Sequence, residues 1–306
     1  DLDSYLTMDE LKIMKSILSI LMAFSLVSSV TAQDAEEIRF AKIISDNMVL
    51  QQQKPITLWG WASPEMEVNV TITQDATLGA AAMEKLGESA VAGKDNDAYS
   101  ITMRYVEKNP PRLKTQKIQT RADRDGRWSV QFPPAKASFQ PTWLIAESGQ
   151  KVTVARNVLI GEIWLCAGQS NMGWSNFNRK DREAASADFP GLRYIAWEDS
   201  WYKPLDEVRK KIQWQECSPQ NALRFSAVPY LYGLFLHRYL KVPVGIINVA
   251  RGGTLGQTWC LREELDNIEG DLMKTVLAEH DAQTAIWDNP KQVAELMKAW
   301  EKNCDT

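Results

Sequence analysis

Histidine is almost missing from this chain: His237 and His280 are the only two among 306 residues. A metal centre built on imidazole is therefore not expected. The cysteines point the same way, since none stands in a C-x-x-C or Cys/His spacing that would suggest zinc. We expect no metal and no cofactor. A surplus of positive charge is lacking as well, with 35 Lys and Arg against 39 Asp and Glu for a formal net charge of -4. Nothing is available to wrap a polyanion, and no nucleic-acid partner is expected. Four cysteines, Cys166, Cys217, Cys260 and Cys304, allow three disulfide pairings and imply none.

Apolar runs long enough to cross a membrane are also absent. The one near the start, residues 17–27 after Met14-Lys15, is too short for a comfortable span. Small residues Val30-Thr31-Ala32 follow it, ahead of Gln33. This is the pattern of a secretory signal over about 14–32. Residues 1–32 are expected to be removed, leaving a mature chain in the periplasm or medium with no membrane span.

What is present is a globular composition, 44% apolar and 24% charged, in a chain long enough for two domains with separate cores. Residues 33–157 read as an antiparallel β-sandwich. Val68, Val70 and Ile72 alternate with polar partners in EVNVTIT, as do Trp128, Val130 and Phe132 in RWSVQF, and Asp125-Gly126 and Ser148-Gly149 mark turns. Residues 74–117 interrupt this pattern as an insertion, with a short helix expected over 76–91 and a strand over 98–106. From residue 158 onward the pattern is α/β with a parallel sheet. A helix expected to open at Ser226, with Ser226 as its cap, places Val228, Leu231, Tyr232, Phe235 and Tyr239 on one face. The buried strand VPVGIINVA follows, ending in Arg251-Gly252-Gly253-Thr254. Two further helices are expected around residues 272–277 and 290–300.

One stretch organises the rest: residues 158–174, VLIGEIWLCAGQSNMGW. Its apolar half reads as a buried strand, in which Cys166 behaves as a small hydrophobe. The strand breaks at Gly168 into a polar turn that presents Ser170 beside fresh backbone N–H groups. The run GEIWLCAGQSNM resembles the first signature block of the sialate O-acetylesterase and acetylxylan-esterase-like group of SGNH hydrolases. SDNMVLQQQKPITLWGWA (45–62) and ADRDGRWSVQFPP (122–134) resemble that group's N-terminal β-domain.

This resemblance implies that Ser170 is a nucleophile, that Gly252 or Gly253 stabilises an oxyanion, and that Gln169 and Asn171 contact substrate. Acyl transfer needs a hydroxyl nucleophile and N–H donors aimed at the developing charge, and glycine lets backbone approach closely. The implied substrate is acetylated sialic acid or an acetylated polysaccharide. Arg251 departs from the group, which more often has an apolar residue there. A serine also needs a base, and the group's D-x-x-H and QGExN blocks do not occur in this sequence. His237 and His280, each on a helix, read as surface groups. The chain is accordingly expected to be a fragment holding the nucleophile without its base. A non-catalytic carbohydrate-binding protein using surface members of its 12 tryptophans is the alternative, and a nonfunctional remnant with open sheet edges is a third reading.

Overall fold

The computed structural model describes residues 38–87, 113–175, 186–197, 205–208 and 210–304. The signal segment and the strand expected over 98–106 lie outside the described residues. The first half of the chain is β-rich: β1 (Arg39–Phe40), β2 (Val49–Gln51), β3 (Ile56–Trp61), β4 (Glu67–Thr73), α1 (Ala76–Lys85), β5 (Gln116–Arg121), β6 (Arg127–Phe132), β7 (Ser138–Ser148) and β8 (Lys151–Gly168). Helices then join in: α2 (Ser170–Gly173), β9 (Phe189–Trp197), β10 (Gln215–Cys217), α3 (Pro219–Ala222), α4 (Ala227–Leu240), β11 (Val244–Ala250), α5 (Arg262–Asp266), α6 (Asp271–Ala285) and α7 (Pro290–Cys304).

Strand periodicity translates directly into burial. Val68, Val70 and Ile72 of β4 and Trp128, Val130 and Phe132 of β6 are buried, as side chains at every second position of a strand must be when one face is covered. A three-stranded sheet, β1-β3-β6, shares a core with the antiparallel half of a larger sheet ordered β10-β9-β11-β8-β7-β4-β5. Leu58, Trp128 and Phe132 from the small sheet meet Val70, Leu144 and Ile160 from the large one. Gly126 (φ 76°) and Gly149 (φ 58°) occupy the expected turns in the left-handed region that glycine enters without steric cost. The expected insertion is shorter than residues 74–117. Asp75 caps α1 by accepting from the Thr77 N–H, α1 ends at Lys85, and Lys117 already lies in β5, paired with Thr71.

The large sheet is continuous because β8 is 18 residues long. It pairs with β7 antiparallel at its start, with β2 parallel at Leu159–Gly161, and with β11 parallel over Glu162–Gly168. The boundary expected between residues 157 and 158 thus falls inside one strand. Asn157 adopts φ 55° there, and its amide donates to Asn47 Oδ1 and Glu216 Oε1, each at 2.8 Å. The same Glu216 oxygen lies 2.7 Å from the guanidinium of buried Arg193. Removing one member of such a pair strands the other in low dielectric, so the joint is polar but tightly specified.

The second core gathers Leu192, Tyr194, Phe225, Tyr230, Leu234, Val244 and Ile246 between α4 and the parallel strands. Here one expectation is corrected. The face of α4 that carries Val228, Leu231, Tyr232, Phe235 and Tyr239 is exposed, Phe235 at 68% and Tyr239 at 85%. Pro229, Tyr230, Gly233 and Leu234 face the sheet instead. The helix is apolar on both sides, so periodicity alone could not choose. Close approach chose, because a Cβ at Gly233 would lie 2.8 Å from Ile246 Cγ1. Ser226 stands at the N-cap position, where its carbonyl accepts from the Tyr230 N–H at 3.0 Å but its side chain accepts no capping hydrogen bond from the helix. Its hydroxyl donates to the Trp174 carbonyl at 3.3 Å. The exposed face of α4 continues onto β8, where Trp164 stands edge-on to Tyr232 at 5.4 Å and Leu165 is 65% exposed. Among the described residues, Glu162–Gly168 is paired to a strand on the β11 side only.

Cys166 and Cys217 are buried free thiols, and Cys260 is an exposed one. Burial pushes the Cys217 thiol up to about 12, which leaves it inert as a nucleophile at neutral pH.

Two outcomes follow from the packing. Gly161 faces the Pro243 carbonyl so closely that a Cβ would lie 2.0 Å from its oxygen. Gly161→Ala is expected to cost about 2 kcal/mol or more, seen as a lower urea midpoint. Phe235→Lys is expected to leave that midpoint within about 0.5 kcal/mol of the parent while reducing concentration-dependent association measured by light scattering, because it charges the exposed apolar face.

Candidate active site

Strands β8 and β11 run parallel with Gly168 opposite Ala250. The backbone ladder carries on for one more bond, from the Arg251 N–H to the Gly168 carbonyl at 3.0 Å. Ser170 and Gly252 each stand two residues past the Gly168–Ala250 pair, so the register delivers them side by side. A Cβ built on Gly252 would sit 3.0 Å from Ser170 Oγ. Any larger residue at position 252 would press on the hydroxyl.

Both residues open onto a cleft of about 570 Å³. Gln169, Ser170 and Gly252 line it, and Asn171 and Gly253 do not. Gly253 has φ 75° with open space around it, so its glycine serves the turn. The Gln169 carbonyl accepts from the Met172 and Gly173 N–H groups at 3.0 and 3.2 Å, which closes the short turn of α2. The Gly252 N–H has no hydrogen-bond partner among the described residues. A backbone donor without a partner among the described residues, on a residue that borders an exposed hydroxyl, suits an oxygen that becomes negative during reaction.

The cleft floor comes from residues that sequence patterning passed over. Tyr194 of β9 and Asn248 of β11 are buried polar side chains in otherwise apolar strands. The Asn248 amide donates to the Tyr194 hydroxyl, which also accepts from the Ser226 N–H at 3.1 Å. The Tyr194 ring stacks on Phe225 at 4.2 Å. Trp174, 64% exposed, and Trp197 form part of the wall, with Lys210, Arg224 and Arg251. A lone polar residue inside VPVGIINVA was the available signal for Asn248, because an unpaired amide in a buried strand is costly without a purpose.

Neither histidine reaches this cleft, and among the described residues no Asp or Glu lines it. His237 is half-buried, with Nδ1 2.7 Å from the Val242 carbonyl and its ring edge-on to Phe139 and Phe189. Burial holds its pKa below the ordinary histidine value. His280 lies exposed on α6 beside Asp281, whose carboxylate Arg262 holds down at about 2. Among the described residues, no three His, Cys, Asp or Glu side chains gather as a metal ion would require.

No family model matches the chain. It is 25% identical over 235 residues to the sialate O-acetylesterases of Homo sapiens and Pongo abelii, covering 72% of this chain and 38% of each relative. The Rattus norvegicus sialate O-acetylesterase is 24% identical over 262 residues, covering 80% of this chain and 41% of the relative. The chain therefore spans about two-fifths of the length of the curated relatives it matches. A crystal structure of a carbohydrate acetylesterase from Xanthomonas citri superposes with a TM-score of 0.58 at 24% identity, over 77% of this chain and 45% of that one. That likeness bears out the mixed α/β fold.

Titration of His237 gives a test of the packing around it. Its folded-state pKa is depressed, so both states are neutral above the unfolded value of about 6.5 and its contribution to stability is complete there. Below that pH the unfolded chain takes up the proton first, and stability falls as pH drops through the folded value. Tm is expected to decline between pH 7 and 5.5. The decline over this window should flatten in His237→Gln, whatever its starting Tm; an unchanged slope would show that the ring does not titrate between the two states.

Proposed function

We propose, from the premise that the chain belongs to the sialate O-acetylesterase-like family of SGNH hydrolases, that it carries the acyl-transfer half of a carbohydrate O-acetylesterase. One observation supports the reading: Ser170 and Gly252 converge at the ends of two paired parallel strands, and the Gly252 N–H has no hydrogen-bond partner among the described residues. Ser170 Oγ attacks the acetyl carbonyl carbon, and the carbonyl electron pair moves onto oxygen, where the Gly252 N–H receives it. Collapse of the tetrahedral species expels the sugar oxygen, which takes a proton. Water then cleaves the acetyl-serine, and acetate leaves.

The weak link is the proton on Ser170. Among the described residues, no imidazole or carboxylate lines the cleft wall, and in this reading deprotonation falls to water. Loss of the base from such a machine removes most of its rate while donors and binding preserve a remnant. Export through a signal over residues 14–32 belongs to the same proposal, since acetylated glycans are encountered outside the cytoplasm.

Turnover of an acetylated sugar by this chain is expected near background. Added imidazole supplies the missing base and is expected to raise the rate of the parent above that of Ser170→Ala at the same imidazole concentration. Gly252→Ala should cut this increment roughly 10- to 100-fold by displacing the hydroxyl. Equal rates for parent and Ser170→Ala at every imidazole concentration would overturn the nucleophile assignment. Strong Ser170-dependent hydrolysis without imidazole would overturn the missing base. The exposed Trp174 on the same cleft favours a second reading, a carbohydrate-binding protein, marked by glycan affinity in a chain whose rate Ser170→Ala does not change.

A further inference from the structure

The last third of β8 has backbone groups with nothing to bond on one side. Its ladder to β11 uses the even-numbered residues of Glu162–Gly168: the Glu162 N–H donates to the Pro243 carbonyl at 2.9 Å, and the Gly168 carbonyl accepts from the Arg251 N–H at 3.0 Å. Successive residues of a strand turn their N–H and C=O groups to opposite sides, so those of Ile163, Leu165 and Ala167 point away from β11. There the Ile163 N–H donates to Gln51 Oε1 at 2.9 Å. The Ile163 carbonyl and both backbone groups of Leu165 and Ala167 have no hydrogen-bond partner among the described residues. Proteins usually blunt such an edge with lysine, proline or a bulge. Residues 163–168, IWLCAG, contain none of these and keep an unbroken register with β11.

The side chains beside this edge are apolar and open. Trp164, Tyr232, Phe235 and Tyr239 are between 39% and 85% exposed. At roughly 150–250 Å² per aromatic side chain, their open surface comes to about 350–580 Å². A specific interface takes about 800 Å² from each partner, so these four supply about half of what a stable dimer needs. Leu165, Val228 and Leu231 extend the patch. None of the seven is charged, so two copies of net charge -4 can meet there without like charges in contact.

We propose that a second copy of the chain completes this edge, with β8 pairing to β8 antiparallel about a two-fold axis at Leu165. In that register the strand is its own complement. The two Leu165 residues exchange both backbone hydrogen bonds, and each Ala167 N–H donates to the Ile163 carbonyl of the other copy. Gln51 keeps the Ile163 N–H and so limits the ladder at that end. An axis perpendicular to the sheet leaves equivalent faces on the same side, so Trp164 and Tyr232 of both copies line one seam. Centring on Leu165 also covers the most exposed large side chain of the edge. The dimer holds whether or not Ser170 is a nucleophile.

Sedimentation equilibrium of the whole chain tests this. A dimer with a micromolar or tighter Kd is expected. Leu165→Lys sets two like charges face to face at the axis and is expected to weaken the dimer by about 10-fold or more. Its circular-dichroism melt should match the parent, since Leu165 is 65% exposed. Disulfide trapping in a Cys260→Ser/Cys304→Ser background reads the register. Leu165→Cys is expected to give a covalent dimer under mild oxidation, because facing residues of a hydrogen-bonded pair hold their Cα atoms about 5.5 Å apart, within disulfide reach. Ala167→Cys should stay uncoupled, because the same axis separates the two copies of position 167 by about 13 Å. A monomer up to about 100 μM overturns the proposal and leaves the edge to a different partner. A dimer that Leu165→Lys does not weaken overturns it by placing the contact elsewhere. Coupling through position 167 as readily as through 165 overturns the pairing.

Discussion

The parallel ladder between β8 and β11 is the constraint on which the rest of the molecule depends. It sets Gly168 level with Ala250, and a slip of one residue would turn every side chain of one strand to the opposite face. Val244 and Ile246 would then leave the second core, and Gly252 would no longer meet Ser170. The alignment that buries the apolar side chains also fixes the relative placement of the two turns that carry Ser170 and Gly252. Precision at the site is a by-product of packing that the fold needs in any case.

The same strand binds the two halves of the chain. β8 begins in the antiparallel sheet and finishes in the parallel one, so no flexible linker separates the β-rich half from the α/β half. At the crossing, Gly161 admits the Pro243 carbonyl, while Asn157, Glu216 and Arg193 satisfy one another. Apolar contacts alone would tolerate sliding; a buried charge with one correct partner does not.

The pieces legible in the sequence were those governed by short-range rules. Alternation in β4 and β6, the Gly126 and Gly149 turns and the run ending in Ser170 all depend on residues within a few positions of one another. What escaped depended on distant partners. The inward face of α4 was set by the fit of Gly233 against Ile246 and Leu192, not by the apolar pattern of the helix. Gly252 and Gly253 were indistinguishable until the register from β8 assigned one to Ser170 and the other to a left-handed turn. Tyr194 and Asn248 are 54 residues apart, and no local pattern brings them to one cavity floor.

The cleft combines two kinds of unspent capacity. One is a backbone donor beside a hydroxyl, which suits charge that exists only during reaction. The other is a set of side-chain cations with no carboxylate among the described wall residues, which suits a polar ligand in its ground state. Ground-state attraction by itself would hold a substrate without hastening its reaction. In the proposed reaction it becomes useful when it fixes the acyl group against Ser170, because orientation supplied by remote contacts lowers the barrier at the reacting carbon. Ser170 and Gly252 stand just past two paired strands, whereas Arg224 sits in the turn between α3 and α4. In the proposed reading, the strand register serves the bond being broken and the turn serves the sugar that carries it.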